Sequence, residues 1–137
     1  MAFENPSDEE LGRILREART IAVVGASSRP DRPSYGVFGY LVRAGYHVFP
    51  VNPHEREVWG RTAYPSLSAL PERADIVDVF RRAEFTPPVA TDAVAHGADV
   101  LWLQLGVIND EAAAIARDGG LTIVMDSCIR VVHETLC

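Results

Sequence analysis

The chain has 137 residues, of which 47% are hydrophobic and 23% charged, and its formal net charge at pH 7 is −6. This length and composition predict a single globular domain over residues 1–137 with one sizeable core. The acidic balance argues against a nucleic-acid partner, because proteins that bind phosphate backbones are usually basic. No apolar run reaches the roughly 18 residues of a membrane span, and the acidic amino terminus lacks the apolar segment of a secretory signal. We therefore expect a cytoplasmic protein without a membrane partner.

The residue types that are missing narrow the available chemistry. All 13 basic residues are arginine, so no lysine can act as a Schiff base, a phosphate clamp or a general base. The two cysteines, Cys128 and Cys137, lie near the carboxyl terminus and form neither a disulfide framework nor a metal cluster. The histidines show no metal-ligand spacing, and we expect no metal site.

The first half of the chain predicts two strands separated by a helix. Before them, a capping box of Ser7 and Glu10, followed by an apolar stripe, predicts a helix over residues 7–18. The elements that follow are strand one over residues 20–25, a helix over 36–44, strand two over 46–51, a loop over 54–65 and a short helix over 66–70.

The second half predicts three further strands. Strand three is an almost continuous apolar run interrupted by Asp78, and Pro87-Pro88 predicts a helix start because the first turn leaves its N–H groups unpaired anyway. The elements in order are strand three over residues 76–80, a helix from 87 to 97, strand four over 99–105, a helix from 109 to 117, strand five over 121–125 and a short tail over 126–137.

These five strands are apolar throughout, which indicates burial on both faces of a parallel sheet. Right-handed crossovers then give an α/β fold, a three-layer Rossmann-like sandwich with helices on both faces. We expect the strand order 3-2-1-4-5. In that order, a ligand crevice opens at the carboxyl ends of strands one and four.

The turn after strand one, Gly25–Ser28, is the first candidate site, and we call it the first-turn loop. Backbone N–H groups and the helix start near Gly36 can hold a phosphate there. The next glycine is Gly36, so the loop departs from the dinucleotide fingerprint G-x-G-x-x-G, and an ordinary turn without a ligand remains the alternative. Further candidate donors are the hydroxyls of Ser27, Ser28 and Ser34 and the guanidinium groups of Arg29 and Arg32.

The ends of strands two, three and four carry further candidates. Strand two ends at Val51-Asn52-Pro53 without the acidic residue that bonds the ribose of NAD, which disfavours that cofactor. Arg81 and Arg82 either meet a ligand phosphate or form a solvated pair that bonds Glu84. Gln104 lies in an apolar run and needs a partner, either a ligand or a neighbouring loop.

Strand five is followed by Cys128, whose role the sequence leaves open. A free cysteine is more often a small buried hydrophobic residue than a nucleophile. His133 is the histidine nearest to it in sequence, and no motif pairs the two.

Several segments together carry a family resemblance. They are Val24-Gly25-Ala26-Ser27, residues 45–53 from Gly45 to Pro53, Tyr64-Pro65-Ser66-Leu67, residues 75–81 from Asp75 to Arg81, Gly97-Ala98, Trp102-Leu103-Gln104 and Met125-Asp126-Ser127-Cys128. This combination resembles the small CoA-binding domain proteins, which are similar in fold to the amino-terminal domain of the succinyl-CoA synthetase α subunit. Ser127 is a departure, since related sequences often carry a basic residue there.

The resemblance implies that coenzyme A lies across the first-turn loop, with its pyrophosphate near that loop and its adenosine and pantetheine parts flanked by residues 51–53 and 80–81. It implies no reaction, so we expect non-catalytic binding of CoA or an acyl-CoA. The predicted binding residues are Gly25, Ala26, Ser27, Ser28, Arg29, Tyr35, Gly36, Val51, Asn52, Pro53, Phe80, Arg81 and Gln104.

Three other interpretations remain open from the sequence: an NAD(P)-binding oxidoreductase, a subunit of an acyl-CoA ligase, and an interaction domain with a vacant cleft. A protein partner or a homo-oligomer is compatible with each of them.

Overall fold

A computed structural model describes residues 3–137. The helices are α1 (Asp8–Glu17), α2 (Pro33–Arg43), α3 (Thr86–His96), α4 (Asp110–Asp118) and α5 (Ile129–Leu136). The strands are β1 (Thr20–Val24), β2 (His47–Val51), β3 (Glu57–Val58), β4 (Arg61–Thr62), β5 (Ile76–Val79), β6 (Val100–Leu103) and β7 (Thr122–Val124). Short 3-10 turns cover Leu67–Ala69 and Ala83–Phe85.

Five of these strands form one parallel sheet in the order β2-β1-β5-β6-β7. One face of the sheet packs against apolar residues of α3 and α4, and the other packs against α1, α2 and α5. All residues of β1, β5 and β6 are buried, as strands covered on both faces must be. The predicted α/β class and the five-stranded parallel sheet are confirmed. None of the helices within residues 3–137 is long and apolar enough to cross a membrane.

The predicted strand order, 3-2-1-4-5, is wrong in one respect. The third strand of the sheet, β5, pairs with β1 over Ile21–Val24 rather than with β2, so the order in chain numbering is 2-1-3-4-5. The outer edge of β2 is instead covered by Tyr64, which donates its N–H to Pro50 O at 2.9 Å. Apolar patterning identifies buried strands, but right-handed crossovers are compatible with both orders. The ligand crevice therefore opens between β1 and β5.

Three elements also differ from the prediction: the start of one helix, an additional helix in the tail and an additional hairpin in the loop. Helix α2 begins at Pro33 rather than at Gly36, because proline is favoured in a first helical turn. The tail folds into α5, whose apolar residues Ile129, Val132 and Leu136 recur at helical spacing against the sheet. The predicted loop contains the β3–β4 hairpin. Its turn has two positive-φ residues, Trp59 and Gly60, and the sequence signal was weak because tryptophan, rather than asparagine, aspartate or glycine, takes the first position.

Trp59 also fastens this hairpin to α2. Its ring stacks on Tyr35 with 4.8 Å between centroids, and its indole N–H donates to Tyr35 O at 2.9 Å. A Cβ at Gly39 would come within 2.3 Å of the Trp59 ring, so only glycine fits under the indole. The hairpin thereby fixes the course of the chain that leads from β2 back to the sheet.

Candidate functional site

A cleft of about 760 Å³ opens at the carboxyl edge of the sheet, and we call it the carboxyl-edge cleft. No aspartate or glutamate lines it among the described residues, although the chain has 19 acidic residues against 13 arginines. It therefore concentrates positive charge in an acidic protein. Its lining includes four arginines, Arg29, Arg32, Arg81 and Arg82, and an apolar part formed by Pro33, Val37, Phe80, Leu105 and Val107.

Gly25 starts the first-turn loop at the floor of this cleft, with φ at +87°. Its N–H donates to Val51 O at 2.8 Å, which ties the end of β1 to the end of β2. A Cβ at this position would lie 2.3 Å from Phe80 O, so a side chain would push β5 away. The fold itself thus requires this glycine, whether or not a ligand approaches its backbone.

The remaining N–H groups of the first-turn loop fall into two sets. Ser28 donates its N–H and its hydroxyl to the two carboxylate oxygens of Glu55, each at 2.8 Å. The N–H groups of Ala26 and Ser27 meet no acceptor within residues 3–137, and Ser27 lines the cleft. Buried N–H groups are nearly always paired, so these two donors are available for an anionic ligand.

The turn after β2 holds the first-turn loop in place. Asn52 donates its side-chain N–H to Ala26 O at 2.8 Å, and its Oδ1 accepts from the N–H of His54 at 2.9 Å. The bonds that Ser28 donates lower the pKa of the Glu55 carboxyl, the bond from the backbone N–H having the largest effect. Asn52 therefore positions the loop, while its side chain also lines the cleft.

The amino terminus of α2 faces the same cleft through Arg32, Pro33 and Ser34. No side chain caps this helix, and its first turn contains no acidic residue. The helices α1 and α4 differ, since Ser7 and Asn109 cap them and acidic residues fill their first turns. The positive end of the α2 dipole is therefore left uncompensated by the protein.

Arg81 and Gln104 lie at the ends of adjacent strands in the cleft. The Nε of Arg81 is buried and has no hydrogen-bond partner among the described residues. Gln104 is 5% exposed, and its Oε1 accepts from the N–H of Ile129 at 3.1 Å. The side-chain nitrogen of Gln104 meets no acceptor within residues 3–137. An unpaired guanidinium nitrogen and an unpaired amide nitrogen thus border the same space, and both are hydrogen-bond donors.

The family model described as "CoA binding domain" matches residues 19–134. This chain belongs to the CoA-binding domain family. It is 44% identical to the uncharacterized protein YneT of Bacillus subtilis over 131 residues, which cover 96% of this chain and 97% of YneT. It is 30% identical over 135 residues to the α subunit of the ADP-forming acetate–CoA ligase I of Pyrococcus furiosus. That match covers 87% of this chain and 29% of the ligase subunit, so the chain spans less than a third of that relative.

Solved structures show the same fold. A hypothetical protein from Pyrococcus horikoshii OT3 superposes with a TM-score of 0.93 at 38% identity, covering 99% of both chains. A protein from Thermus thermophilus superposes with a TM-score of 0.92 at 37% identity, covering 96% of this chain and 100% of the other.

The cleft of this CoA-binding domain brings together seven of the predicted binding residues, Gly25, Ser27, Arg29, Asn52, Phe80, Arg81 and Gln104. Ala26 and Val51 are buried beneath it, and Ser28 faces Glu55. Tyr35 stacks on Trp59, while Gly36 and Pro53 are exposed outside the lining. Sequence reasoning missed Pro33, Val37, His54, Leu105 and Val107.

The missed residues carry little signal in the sequence. Leu105 is 71% exposed at the rim of the cleft. A large apolar residue directly after a buried strand is the only one of the missed positions whose sequence context could have suggested a place in the site. Cys128 also lines the cleft and occupies the N-cap position of α5. Its sulfur makes no hydrogen bond to a histidine within the described residues, since the Nδ1 of His133 bonds the hydroxyl of Tyr40 at 2.7 Å.

Asp78 is the one acidic side chain in the interior of the sheet. It is fully buried on β5, level with Val23 and Trp102, and neither carboxyl oxygen has a hydrogen-bond partner within residues 3–137. Burial raises the pKa of Asp78 well above its usual value. The group is therefore held neutral, which is the less costly form in an apolar setting.

Proposed function

We propose that this chain binds coenzyme A or an acyl-CoA in the carboxyl-edge cleft and catalyses no reaction by itself. The observation that carries the proposal is the set of four cleft arginines without a lining carboxylate, in a chain of net charge −6. Coenzyme A carries a diphosphate and a 3′-phosphate, so it presents the charge that such a set would neutralise. The cleft volume, about 760 Å³, also falls in the usual range for small-molecule sites.

The free donors indicate how the ligand would lie. The N–H groups of Ala26 and Ser27 and the uncapped start of α2 favour the diphosphate at this corner. Arg81 would supply a charge-assisted hydrogen bond to a phosphate, and Phe80 and Leu105 would contact the apolar stretches of pantetheine. Ser28 is a weaker candidate than the sequence suggested, because Glu55 already accepts from both of its donors.

The cleft holds no activated nucleophile among the described residues. Thioester transfer needs a nucleophile activated by a base within hydrogen-bond reach. Cys128 is the thiol in the cleft, and no histidine or carboxylate bonds it among the described residues. The chain also contains no lysine.

Two measurements test the proposal. Native mass spectrometry and calorimetry with coenzyme A, NAD and NADP as parallel ligands should show binding of coenzyme A alone. A preference for a nicotinamide dinucleotide would replace the proposal with the oxidoreductase alternative. Incubation with short acyl-CoAs, followed by detection of free thiol, should show no turnover above background. Turnover that disappears in Cys128→Ser would instead make the protein an acyl-transfer enzyme.

The second candidate function is that of a subunit of an acyl-CoA ligase, since two relatives are α subunits of the ADP-forming acetate–CoA ligases I and II of Pyrococcus furiosus. The chain matches 28% to 29% of their length, so the matched part is less than a third of such a subunit. Purification of the tagged chain from its own cells, followed by an assay for ATP-dependent acetyl-CoA formation, tests this candidate. Activity that copurifies with the chain would favour it over the isolated binding module.

A further inference from the structure

The Glu55 carboxylate occupies the last donors of the first-turn loop. Its Oε2 accepts from the Ser28 N–H and its Oε1 accepts from the Ser28 hydroxyl, both at 2.8 Å. One anion thus receives a backbone N–H and a hydroxyl of the same loop residue, each on its own oxygen. A phosphate group presents several oxygens that can accept the same two bonds.

The turn after β2 delivers this carboxylate to the loop. The N–H of Glu55 bonds Asn52 O at 3.3 Å, and the Asn52 side chain bonds Ala26 O at 2.8 Å. The same two-residue connection therefore holds both the loop and the anion that sits on it. No arginine lies within salt-bridge distance of Glu55 in the described part of the chain. Its hydrogen-bond partners are the two Ser28 donors, and the Ser27 hydroxyl lies close enough to lower its pKa as well.

The same contacts favour the charged form of Glu55. Its pKa is lowered, chiefly by the backbone N–H of Ser28. It is partly exposed and does not line the cleft, while Ser27, the preceding residue of the loop, does. A negative charge is thus fixed at the far end of a loop whose nearer N–H groups are free.

We propose that Glu55 is an internal competitor for the phosphate of the ligand. Its carboxylate accepts from the Ser28 donors in the empty protein. A phosphate that binds nearby either displaces the carboxylate or binds less tightly because of its negative charge. Glu55 then sets the affinity of the cleft for phosphorylated ligands. This inference rests on the proposed function, because it takes the ligand to be an anion on the first-turn loop.

The competing explanation is that Glu55 braces the loop in a binding-competent shape. The two explanations predict opposite signs for Glu55→Gln, which removes the charge but keeps an oxygen that can accept from Ser28. If Glu55 competes with the phosphate, Glu55→Gln removes the competing charge, and the variant binds the ligand more tightly. A brace is weakened, so the variant binds less tightly.

The experiment is calorimetric titration of the full chain and its variants with coenzyme A and with inorganic diphosphate. We expect Glu55→Gln to bind both probes roughly two- to fivefold more tightly, the effect of one charge in a partly exposed site. The matched control is Glu57→Gln, which makes the same change of net charge at an exposed position two residues away. The control should shift affinity by less than about twofold at 0.15 M salt, because screening weakens distant charges.

Each outcome decides the question. Weaker binding by Glu55→Gln, or equal gains in both variants, overturns the inference while leaving the proposed function standing, provided that the unmodified chain binds coenzyme A. Failure of every variant to bind either probe overturns both. A second measurement follows the Glu55 carboxyl by ¹³C NMR across pH. Saturation with coenzyme A should move the lowered pKa of Glu55 upward, because loss of the Ser28 bonds or the nearby phosphate charge disfavours the carboxylate. An unchanged pKa would mean that the phosphate does not approach Glu55 and would overturn the inference.

Discussion

The two edges of the sheet use arginine in opposite ways. At the amino edge, a second cleft of about 450 Å³ contains Arg73, which pairs with Asp75 at 2.6 Å and Asp99 at 3.2 Å and donates to Gly97 O at 2.8 Å. At the carboxyl edge, Arg81 has no such partner within residues 3–137, and its Nε is buried without a hydrogen bond. Both residues lie within three positions of β5, yet Arg73 is paired with groups of the fold and the Nε of Arg81 is not.

The difference in pairing between the two edges indicates that a ligand is expected at the carboxyl edge. Asp75 accepts from the N–H groups of Arg19 and Thr20 as well as from Arg73. The charged groups at the amino edge therefore join the start of β1 to the start of β5. Cleft volume and charged residues are present at both edges, so neither marks a binding site by itself. Unsatisfied donors are found at the carboxyl edge, and a buried donor without a partner is costly unless a ligand or water completes it.

The largest effect is expected from glycine replacements at the two edges. Gly25→Ala should destabilise the fold by at least about 3 kcal/mol, because a Cβ would meet Phe80 O at 2.3 Å and the φ is +87°. Gly45, at the amino end of β2, has φ at +102° but open space around its Cβ position. Gly45→Ala should therefore cost only about 1–2 kcal/mol. Urea unfolding of both variants checks this, and similar losses would show that the contact with Phe80 is unimportant.

Asp78, between the two edges, should make stability depend on pH. Burial raises its pKa in the folded protein, while the unfolded chain releases its proton above about pH 3.9. The contribution of Asp78 to stability should therefore be fully present below that pH and fall by about 1.4 kcal/mol per pH unit above it, until the folded-state pKa is reached. Asp78→Asn should lack this slope. Urea unfolding between pH 4.5 and 7.5 compares the two, and parallel pH profiles would contradict the assignment of a neutral buried carboxyl.

The arginine pair tests the comparison directly. Arg81→Ala should weaken coenzyme A binding by about 1.5–3 kcal/mol, the worth of a hydrogen bond to a charged group, with little change in unfolding free energy. Arg73→Ala should leave binding unchanged and lower stability by about 1 kcal/mol, since its side chain is 48% exposed. Calorimetry and urea unfolding on both variants give the four values.

Dephospho-CoA refines the same experiment. An Arg81 contact to the 3′-phosphate predicts a smaller loss for dephospho-CoA than for coenzyme A, whereas equal losses indicate the diphosphate. Reversal of the pattern, with Arg73→Ala affecting binding, would place the ligand at the amino edge.

Arg29 should show the smallest effect, because it already has a partner. It pairs with Asp31 at 3.3 Å, and both side chains are more than 60% exposed. Arg29→Ala should weaken coenzyme A binding by about 0.5 kcal/mol at low salt and by less at 0.5 M salt. Titration at two ionic strengths measures this. A loss as large as that of Arg81→Ala would mean that pairing in the empty protein does not predict which arginines serve the ligand.

Sequence reasoning found the elements whose causes are local. The apolar runs gave the five main-sheet strands, and the Ser7 cap is present, with its hydroxyl accepting from the Glu10 N–H at 3.2 Å. The expected crevice at strand ends follows from any parallel α/β order, and Gly25, Phe80 and Gln104 do line it.

What sequence reasoning missed depends on contacts between distant segments. Tyr64 covers the edge of β2 where the third strand was expected, and no local pattern announces that pairing. Glu55 reaches Ser28 across 27 residues, so its effect on the first-turn loop could not be read from either segment alone. Asn52 lines the cleft as predicted and has a further role that its own segment does not announce, because its amide nitrogen donates to Ala26 O.

The packing of Trp59 on α2 gives the protein a natural optical reporter. The chain contains two tryptophans, and Trp102 is fully buried in the sheet. Trp59 is only partly buried, and it bonds and stacks on Tyr35 in the first turn of the helix whose start borders the cleft. An anion arriving at that helix start alters the electric field at the indole. Intrinsic fluorescence can therefore follow ligand arrival in real time without a label, with Trp59→Phe as the silent counterpart.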